Sequence, residues 1–276
     1  MKLNLIILSL FFTTFLAQGE NVIGLIKSID REARLLNLDV KGSINRYKIG
    51  LGDASYLKES SFIRANSIMS DGDWMLERVW PNNRIDEKIL KDSNRTLRRE
   101  TERMGRKAFR SFKDPMPTFA FYSHRGELIR SSMLQGKITL LNFIFTRCRI
   151  PNMCPAATER ITKLLAMTKD SGIKNVQVFS ITLDPDYDTP GILNEYAKSK
   201  GIEDNNFHFL TGPTKAVEDM QKHHGIETKD DETFGIYHTM MTVVIDPKKN
   251  VYYQVPGSFW SADDYLSRIK KLADEI

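Results

Sequence analysis

The stretch from Lys137 to Ile161 reads KITLLNFIFTRCRIPNMCPAATERI. Its first nine residues form an almost unbroken run of β-branched and other apolar side chains, which is typical of a strand buried on both faces. Pro155 lies where a helix would begin, and proline is favoured in the first turn of helices. The stretch therefore predicts a strand, a short turn and a helix in succession, as in an α/β sheet.

The turn holds Cys148 and Cys154, the only two cysteines of the chain. A disulfide between them would close a loop of only a few residues, and short loops give the least stabilisation. The positive end of the helix dipole, together with Arg147 and Arg149, favours the thiolate form of Cys154. A thiolate in this place suits a redox nucleophile and a ligand of a soft metal equally well.

The overall composition is that of an ordinary soluble globular protein, with 276 residues of which 41% are hydrophobic and 27% charged. The sequence contains no glycine fingerprint for dinucleotides, no P-loop, no HExxH zinc motif and no nucleophile elbow. Nucleotide chemistry and the common hydrolase mechanisms therefore have no residues to perform them.

The first 19 residues differ from the rest of the chain. Lys2 precedes an uncharged apolar run from Leu3 to Leu16, and Ala17 and Gly19 are the small residues expected at a cleavage site. The run is short for a membrane span. We therefore predict an export signal over residues 1–19, and an exported protein that is periplasmic or membrane-associated facing the periplasm.

Four motifs follow one another along the chain: NFIFTRCRIPNMCP from Asn142, SITLDPDYDTP from Ser180, FHFLTG from Phe207 and YHTMMTVVIDPKKNV from Tyr237. In this combination they resemble the Sco/SenC family, whose members are thioredoxin-fold copper proteins implicated in assembling the copper centre of cytochrome oxidase. The resemblance covers about residues 115–276. We place the corresponding domain at residues 114–276.

The resemblance implies that Cys148, Cys154 and His238 bind one copper ion. Two sulfurs and an imidazole suit copper as Cu(I) or Cu(II), and soft sulfur ligands favour Cu(I). His238 directly precedes a predicted strand, where a rigid scaffold can aim a ligand. The cysteine spacing, C-x5-C, is two residues longer than the usual C-x3-C of the family. The longer loop would also let Cys148 act as a mobile resolving thiol.

Two aspartates and two further histidines are also candidates for interpretation, outside the proposed ligand set. Asp184 and Asp188 follow a predicted strand at its carboxyl end, where open α/β sheets place their sites. They could orient His238 or a partner from there, or they could cap the helix that follows. His223 and His224 are expected on the solvent-exposed face of a short helix.

The remaining pattern predicts an α/β, thioredoxin-like domain with an antiparallel hairpin. The predicted strands lie near residues 119–122, 138–145, 176–183, 207–210, 240–246 and 251–255. The predicted helices lie near residues 155–169, 190–200, 214–223 and 261–275. The last two strands flank the turn sequence DPKKN, which favours a hairpin.

Residues 20–80 predict a separate, small all-β, barrel-like domain. Short alternating segments such as VIGLIKSID and LLNLDV are separated by turn residues at regular spacing. The sequence contains no histidine before His124. We therefore expect a tethering or interaction module at the amino-terminal end and no metal site in it.

Residues 81–113 predict a basic helical linker. From Arg84 to Lys113 there are eleven basic and five acidic residues. Leu90, Leu97 and Met104 recur every seven residues, which indicates a helix that lays an apolar stripe on one or both domains. Its basic face would suit an anionic membrane surface or an acidic partner. No nucleic-acid-binding motif accompanies the charge, so we expect no nucleic-acid partner.

Three functions remain compatible with the sequence. The first is an exported metallochaperone that passes copper to a subunit of a respiratory oxidase. The second is a thiol-disulfide oxidoreductase with Cys148 and Cys154 as catalytic residues, acting on another exported thiol protein. The third is a non-catalytic adaptor in which the two cysteines form an inert bond. The first two differ at His238, which copper binding needs and disulfide exchange does not.

Overall fold

The computed structural model describes residues 19–231 and 235–275. The predicted export signal, apart from Gly19, lies outside these residues. Within the two described ranges, no helix is both long enough and apolar enough to cross a bilayer.

The amino-terminal domain is a closed five-stranded barrel, as predicted. Its strands are β1 (Glu20–Asp30), β2 (Leu35–Val40), β3 (Ser43–Lys48), β4 (Phe62–Ser70) and β5 (Asp73–Pro81). They close in the order β1-β2-β3-β5-β4. Alternate residues such as Leu36 and Leu38 fill the interior, which is the period-two pattern of a half-buried strand. A short helix, α1 (Leu51–Tyr56), connects β3 with β4.

Helix α2 (Arg84–Glu102) connects the barrel to the second domain. The side chain of Asn83 caps its start by accepting hydrogen bonds from the backbone of Ile85 and Asp86. Leu90 and Leu97 are both buried, as the seven-residue repeat indicated. The helix ends at Glu102, so Met104, the third member of the repeat, lies beyond it.

The buried side of α2 packs on both domains. Leu90 lies in a cluster with Trp80 of β5 and Tyr122 of the second domain. Leu97 belongs to the main core of the second domain. Helix α2 is therefore packed on the second domain as part of its structure, because that domain encloses the apolar side chains of the helix.

The second domain is a mixed α/β structure. In chain order its strands are β6 (Ala120–Ser123), β7 (Leu128–Arg130), β8 (Ile138–Ile144), β9 (Val176–Thr182), β10 (Phe207–Thr211), β11 (Thr228–Asp231), β12 (Gly235–His238), β13 (Met241–Ile245) and β14 (Val251–Pro256). Its helices are α3 (Cys154–Asp170), α4 (Pro190–Ser199), α5 (Thr214–His223) and α6 (Ala262–Asp274), with a 3₁₀ turn at Ser131–Leu134.

Seven of these strands form one sheet in the order β14-β13-β8-β9-β10-β6-β7, while β11 and β12 form a separate ribbon. Strands β8, β9 and β10 are parallel, and β13 and β14 form the predicted antiparallel hairpin. The sequence did not predict β7, which is three residues long, or the ribbon, whose strands are short and largely polar.

The pairing of the central strands decides which residues meet. Every residue of β8 is buried, as its nearly continuous apolar run predicted, and every residue of β9 is buried as well. Because β8 and β9 are parallel, the residues that follow each of them lie at the same sheet edge. Strand β13 runs antiparallel to β8, with Thr242 opposite Asn142, so the residues that precede β13 reach that edge as well.

Candidate metal centre

Three potential ligands meet at this sheet edge. Cys148 follows β8, Cys154 is the first residue of α3, and His238 is the last residue of β12, just before β13. Their ligand atoms, two sulfurs and one ring nitrogen, all lie within 4.8 Å of one another. Both cysteines are free thiols. The structure thus brings together the three residues that the sequence nominated.

The imidazole of His238 is held in one tautomer. Its Nδ1 lies 2.8 Å from the backbone oxygen of Thr239. Because a carbonyl oxygen only accepts hydrogen bonds, Nδ1 carries the proton, and Nε2 of the neutral ring presents a lone pair. Nε2 lies 3.4 Å from the sulfur of Cys154, and the ring packs edge-on against Phe145. Nε2 is therefore the nitrogen available to a metal ion.

The two thiols differ in exposure and in pKa. Cys154 is fully buried, whereas Cys148 is half-buried. A hydrogen bond from the Cys154 thiol lowers the pKa of Cys148 to about 4, against the smaller opposing effect of burial. The same hydrogen bond, followed by burial, raises the pKa of Cys154. The prediction that Cys154 carries the thiolate was wrong, because the buried sulfur keeps the proton that the pair shares.

This donor set fits a soft metal ion. Two sulfurs and one imidazole nitrogen are the ligands that copper prefers, and Cu(I) above all. The nearby carboxylates of Asp184 and Asp188 are already occupied by hydrogen bonds from the protein. Hard cations such as Mg²⁺ or Ca²⁺, which require oxygen ligands, are therefore poorly served here.

Asp188 holds the start of the cysteine turn. Its buried carboxylate accepts hydrogen bonds from the backbone N–H of Thr146 (3.1 Å) and from the hydroxyl groups of Thr146 and Thr182. Burial raises the pKa of Asp188 to about 6, although these hydrogen bonds oppose the rise. The helix that follows is capped by the side chain of Thr189, so Asp188 is not its cap.

Asp184 pairs with the residue next to Cys148. The guanidinium group of Arg147 donates from Nε (3.0 Å) and Nη2 (2.6 Å) to one carboxylate oxygen of Asp184. The same guanidinium lies 4.2 Å from the centre of the Tyr187 ring. Both aspartates thus orient the cysteine turn, and their hydrogen bonds among the described residues go to Thr146, Thr182 and Arg147 and not to His238.

The prediction that His223 and His224 face solvent was wrong, because both are fully buried. Helix α2 and the segment after it cover α5, and Arg110 donates a hydrogen bond to Nδ1 of His223 (2.8 Å). Burial, reinforced by the Arg110 charge, lowers the pKa of His223 to about 4. His224 packs against Phe143, and burial lowers its pKa to about 3. These histidines belong to the core.

Sequence reasoning missed Thr146 as a partner of Asp188 and the Thr239 carbonyl that orients His238. The first had a local signal, since Thr146 follows a buried strand at the same edge as the DPDYDTP motif. The second had none, because a backbone oxygen leaves no trace in the sequence.

Known proteins resemble the second domain. A SCO2-like protein of Rickettsia prowazekii (strain Madrid E) is 32% identical over 138 residues, which cover 46% of this chain and 62% of the relative. The chain therefore spans less than two thirds of that relative's length. The crystal structure of a SCO1/SenC family lipoprotein from Bacillus anthracis str. Ames superposes with a TM-score of 0.52 and 28% identity, covering 59% of this chain and 99% of that one.

A more distant structure shows the same fold. It is Arabidopsis thaliana ScoI with copper bound, which has a TM-score of 0.52 and 21% identity over 60% of this chain and all of that one. The predicted thioredoxin-like domain with an antiparallel hairpin, preceded by a small β-barrel, is confirmed.

The model of one protein family, described as SCO1/SenC, matches residues 108–274. The match begins after the barrel and α2 and contains the sheet, both cysteines and His238. Since it extends over more than half of the sequence, it shows that this chain belongs to the SCO1/SenC family.

Proposed function

We propose that the protein binds one copper ion through Cys148, Cys154 and His238 and delivers it during assembly of the copper centre of a respiratory cytochrome oxidase. The observation that carries the proposal is the meeting of two free thiols and one oriented imidazole within 4.8 Å. The family membership and the copper-bound structure of Arabidopsis thaliana ScoI support it.

The difference between the two thiols fits a delivery role. Cys154 and His238 are buried and supply a fixed sulfur and nitrogen. Cys148 is half-buried and lies in a turn, so it is the ligand that an acceptor's thiolate can reach. Copper would then pass by exchange of one sulfur ligand for another, beginning at Cys148. The low pKa of Cys148 keeps this ligand deprotonated at neutral pH.

The test is Cu(I) titration of the reduced full chain in competition with a chromogenic chelator. The wild-type protein should bind one equivalent. His238→Ala should lower the Cu(I) affinity by more than roughly 100-fold. Removal of a residue that only supports a metal ligand costs up to roughly 100-fold in affinity, and this variant removes a ligand itself. His208→Ala, a buried histidine on β10, is the matched control. If the reduced wild-type chain binds no copper, the proposed function is wrong.

A thiol-disulfide oxidoreductase is the second candidate function. A half-buried thiolate beside a buried thiol is the arrangement of an attacking and a resolving cysteine, with Cys148 attacking and Cys154 resolving. This is the reverse of the resolving role that the longer loop suggested for Cys148. In this function Cys148 attacks a disulfide of the partner, one partner sulfur leaves as a thiolate, and Cys154 then displaces the other to form the Cys148–Cys154 disulfide. His238→Ala should leave this exchange largely intact. If His238→Ala loses both disulfide exchange and copper binding, that result would argue against an independent redox role.

We further propose that the protein is exported, with an oxidase subunit on the periplasmic side as the recipient of copper. The support is the apolar run from Leu3 to Leu16 with small residues after it. Cell fractionation, followed by determination of the amino-terminal residue of the mature protein, tests this. Recovery of the whole chain in the cytoplasm would overturn it.

The exposed side of α2 suits an anionic membrane surface. Five basic residues, Arg84, Lys88, Lys91, Arg95 and Arg99, recur at intervals of three or four and all face solvent. We call them the basic stripe. Within the described residues only Arg95 has a carboxylate partner, Asp92 at 3.6 Å. Like charges at this spacing destabilise a helix, so the stripe is better accommodated against anions than in water.

An exposed apolar side chain accompanies the stripe, as expected at a lipid interface. Ile85 in the first turn is 71% exposed. Each basic residue near an anionic surface contributes about 1 kcal/mol, so the loss of two positive charges in Lys88→Glu with Lys91→Glu should by itself weaken binding to phosphatidylglycerol vesicles by roughly 30-fold, and repulsion of the two new carboxylates should weaken it further. The control, Lys163→Glu with Lys174→Glu, makes the same charge change elsewhere. Equal binding of both variants, or none by the wild type, would favour an acidic protein partner instead.

A further inference from the structure

The barrel touches the second domain at backbone distance. Helix α1 crosses the first turn of α4 at Gly52 and Gly191. A Cβ atom added to Gly52 would lie 1.9 Å from the backbone oxygen of Gly191, and one added to Gly191 would lie 2.2 Å from Oδ1 of Asp53. Neither glycine has a positive φ, so each is required for space and not for conformation.

Polar contacts accompany this crossing. The backbone N–H of Gly52 donates to Oε1 of Glu195 on α4 at 2.8 Å. Asp53 is buried against the same helix. From β5 of the barrel, Arg78 reaches Asp186, in the loop just before α4, at 3.5 Å. The Arg78 pair is exposed and contributes little, so the glycine crossing carries the contact.

The loop that the barrel touches is also the loop that holds the cysteine turn. It runs from Asp184 to Thr189 and continues directly into α4. Its two ends hold the residues before Cys148, because Asp188 binds Thr146 and Asp184 binds Arg147. The barrel therefore contacts this loop and the helix that it enters, and the same loop contacts the residues before the proposed copper ligand.

The backbone of Cys148 is held within the turn, where its N–H donates a 3.3 Å hydrogen bond to the oxygen of Phe145. Its sulfur lies 3.9 Å from the oxygen of Ile150 and accepts the hydrogen bond from the Cys154 thiol, so its position relative to Cys154 depends on how the turn is placed. We propose that the barrel is a positioning element for the metal centre, which acts through Gly52, Gly191 and the Asp184–Thr189 loop to fix Cys148 relative to Cys154. This inference rests on the proposed function, since the position of Cys148 matters there for copper binding.

The test uses Gly52→Ala in the full chain, because even a methyl group must displace Gly191. Leu51→Ala, an exposed residue of the same helix, is the matched control. In reduced, copper-free protein we expect Gly52→Ala to alkylate faster at Cys148 than the wild type. Its Cu(I) affinity should fall by about tenfold, the lower end of losses at supporting positions. Glu195→Ala, which removes a contact on the helix surface, should act in the same direction and keeps the test valid if Gly52→Ala does not fold.

A double-mutant cycle separates positioning from simple loss of stability. Thr146→Val removes one hydrogen bond to Asp188 at the far end of the loop. If the barrel acts through this loop, the effects of Gly52→Ala and Thr146→Val on alkylation are not additive. Additive effects, or alkylation of Gly52→Ala at the wild-type rate, would overturn the inference. A wild-type chain that binds no copper would refute the proposed function alone, because the alkylation comparison needs no metal.

Discussion

Asp53→Asn should change how the stability of the protein depends on pH. Asp53 lies on α1, is only 9% exposed, and has one carboxylate oxygen without a hydrogen-bond partner among the described residues. Burial, together with the nearby charge of Glu195, raises the pKa of Asp53 to about 7. Asparagine has nearly the same shape and cannot ionise, so the variant removes the titration and leaves the contact.

The sign and size of this pH dependence follow from the linkage between protonation of Asp53 and folding. In the unfolded chain an aspartate has a pKa of about 3.9, so between that value and about 7 the folded state holds a proton that the unfolded state has lost. The free energy of unfolding therefore falls as pH rises through this window. Two pH units separate pH 5 from the folded pKa, and each is worth about 1.4 kcal/mol. Between pH 5 and pH 8 the variant should gain about 3 kcal/mol relative to the wild type.

The assay is urea denaturation of both proteins at pH 5, 6, 7 and 8, with the difference in unfolding free energy plotted against pH. Carboxyl groups far from Asp53 titrate alike in both proteins and cancel in this difference. Asp71→Asn, at an exposed turn of the barrel, is the control and should show a flat difference. A flat difference for Asp53→Asn as well would refute the assignment of a buried, protonated carboxyl group to the α1–α4 contact.

Three further predictions concern the thiol pair and α2. Because the pKa of Cys148 is lowered to about 4, its alkylation by iodoacetamide should be nearly constant from pH 6 to pH 8. The alkylation rate of an ordinary thiol would rise roughly 75-fold over that range. Cys148→Ser measures the background rate, and a steep rise of the wild-type rate with pH would contradict the low pKa. Leu97→Ala should cost about 2–5 kcal/mol of unfolding free energy in denaturant titration, since Leu97 lies in the sheet domain's core, and a near-zero cost would contradict that placement. Asn94→Ala should cost about 1–3 kcal/mol and speed amide exchange at Ala120, because the Asn94 amide bonds both the N–H and the C=O of that residue; unchanged exchange would count against these bonds.

The sheet and the ligand set could be predicted from the sequence because both leave strong local signals. A nearly continuous apolar run identified β8, and a mostly apolar segment identified β9. The cysteine turn between β8 and α3 was visible as a strand followed by Pro155. His238 could be chosen from five histidines because it precedes a strand and because the surrounding motif resembles a known family. The antiparallel pairing of β13 with β8, which carries His238 to the thiols, was not predicted and is seen only in the structure.

The features that the sequence did not predict depend on contacts between segments that are distant along the chain. His223 looked like a polar helix residue because its covering group, Arg110, lies 113 positions earlier in the chain. The predicted thiolate at Cys154 was wrong for a related reason. Helix-end electrostatics are local and can be read from sequence, whereas the burial of Cys154 and its hydrogen bond to Cys148 exist only in the folded site.

The antiparallel entry of β13 has a consequence for when the centre can first exist. His238 follows Cys154 by 84 residues, and it reaches the thiols only after β13 has inserted beside β8. During synthesis, before the β13–β14 hairpin has left the ribosome, the chain would offer the two sulfurs but no imidazole at the site. A metal ion that needs all three donors can therefore bind only after β13 has been synthesised and has paired with β8, so metal retention reports that this pairing has formed.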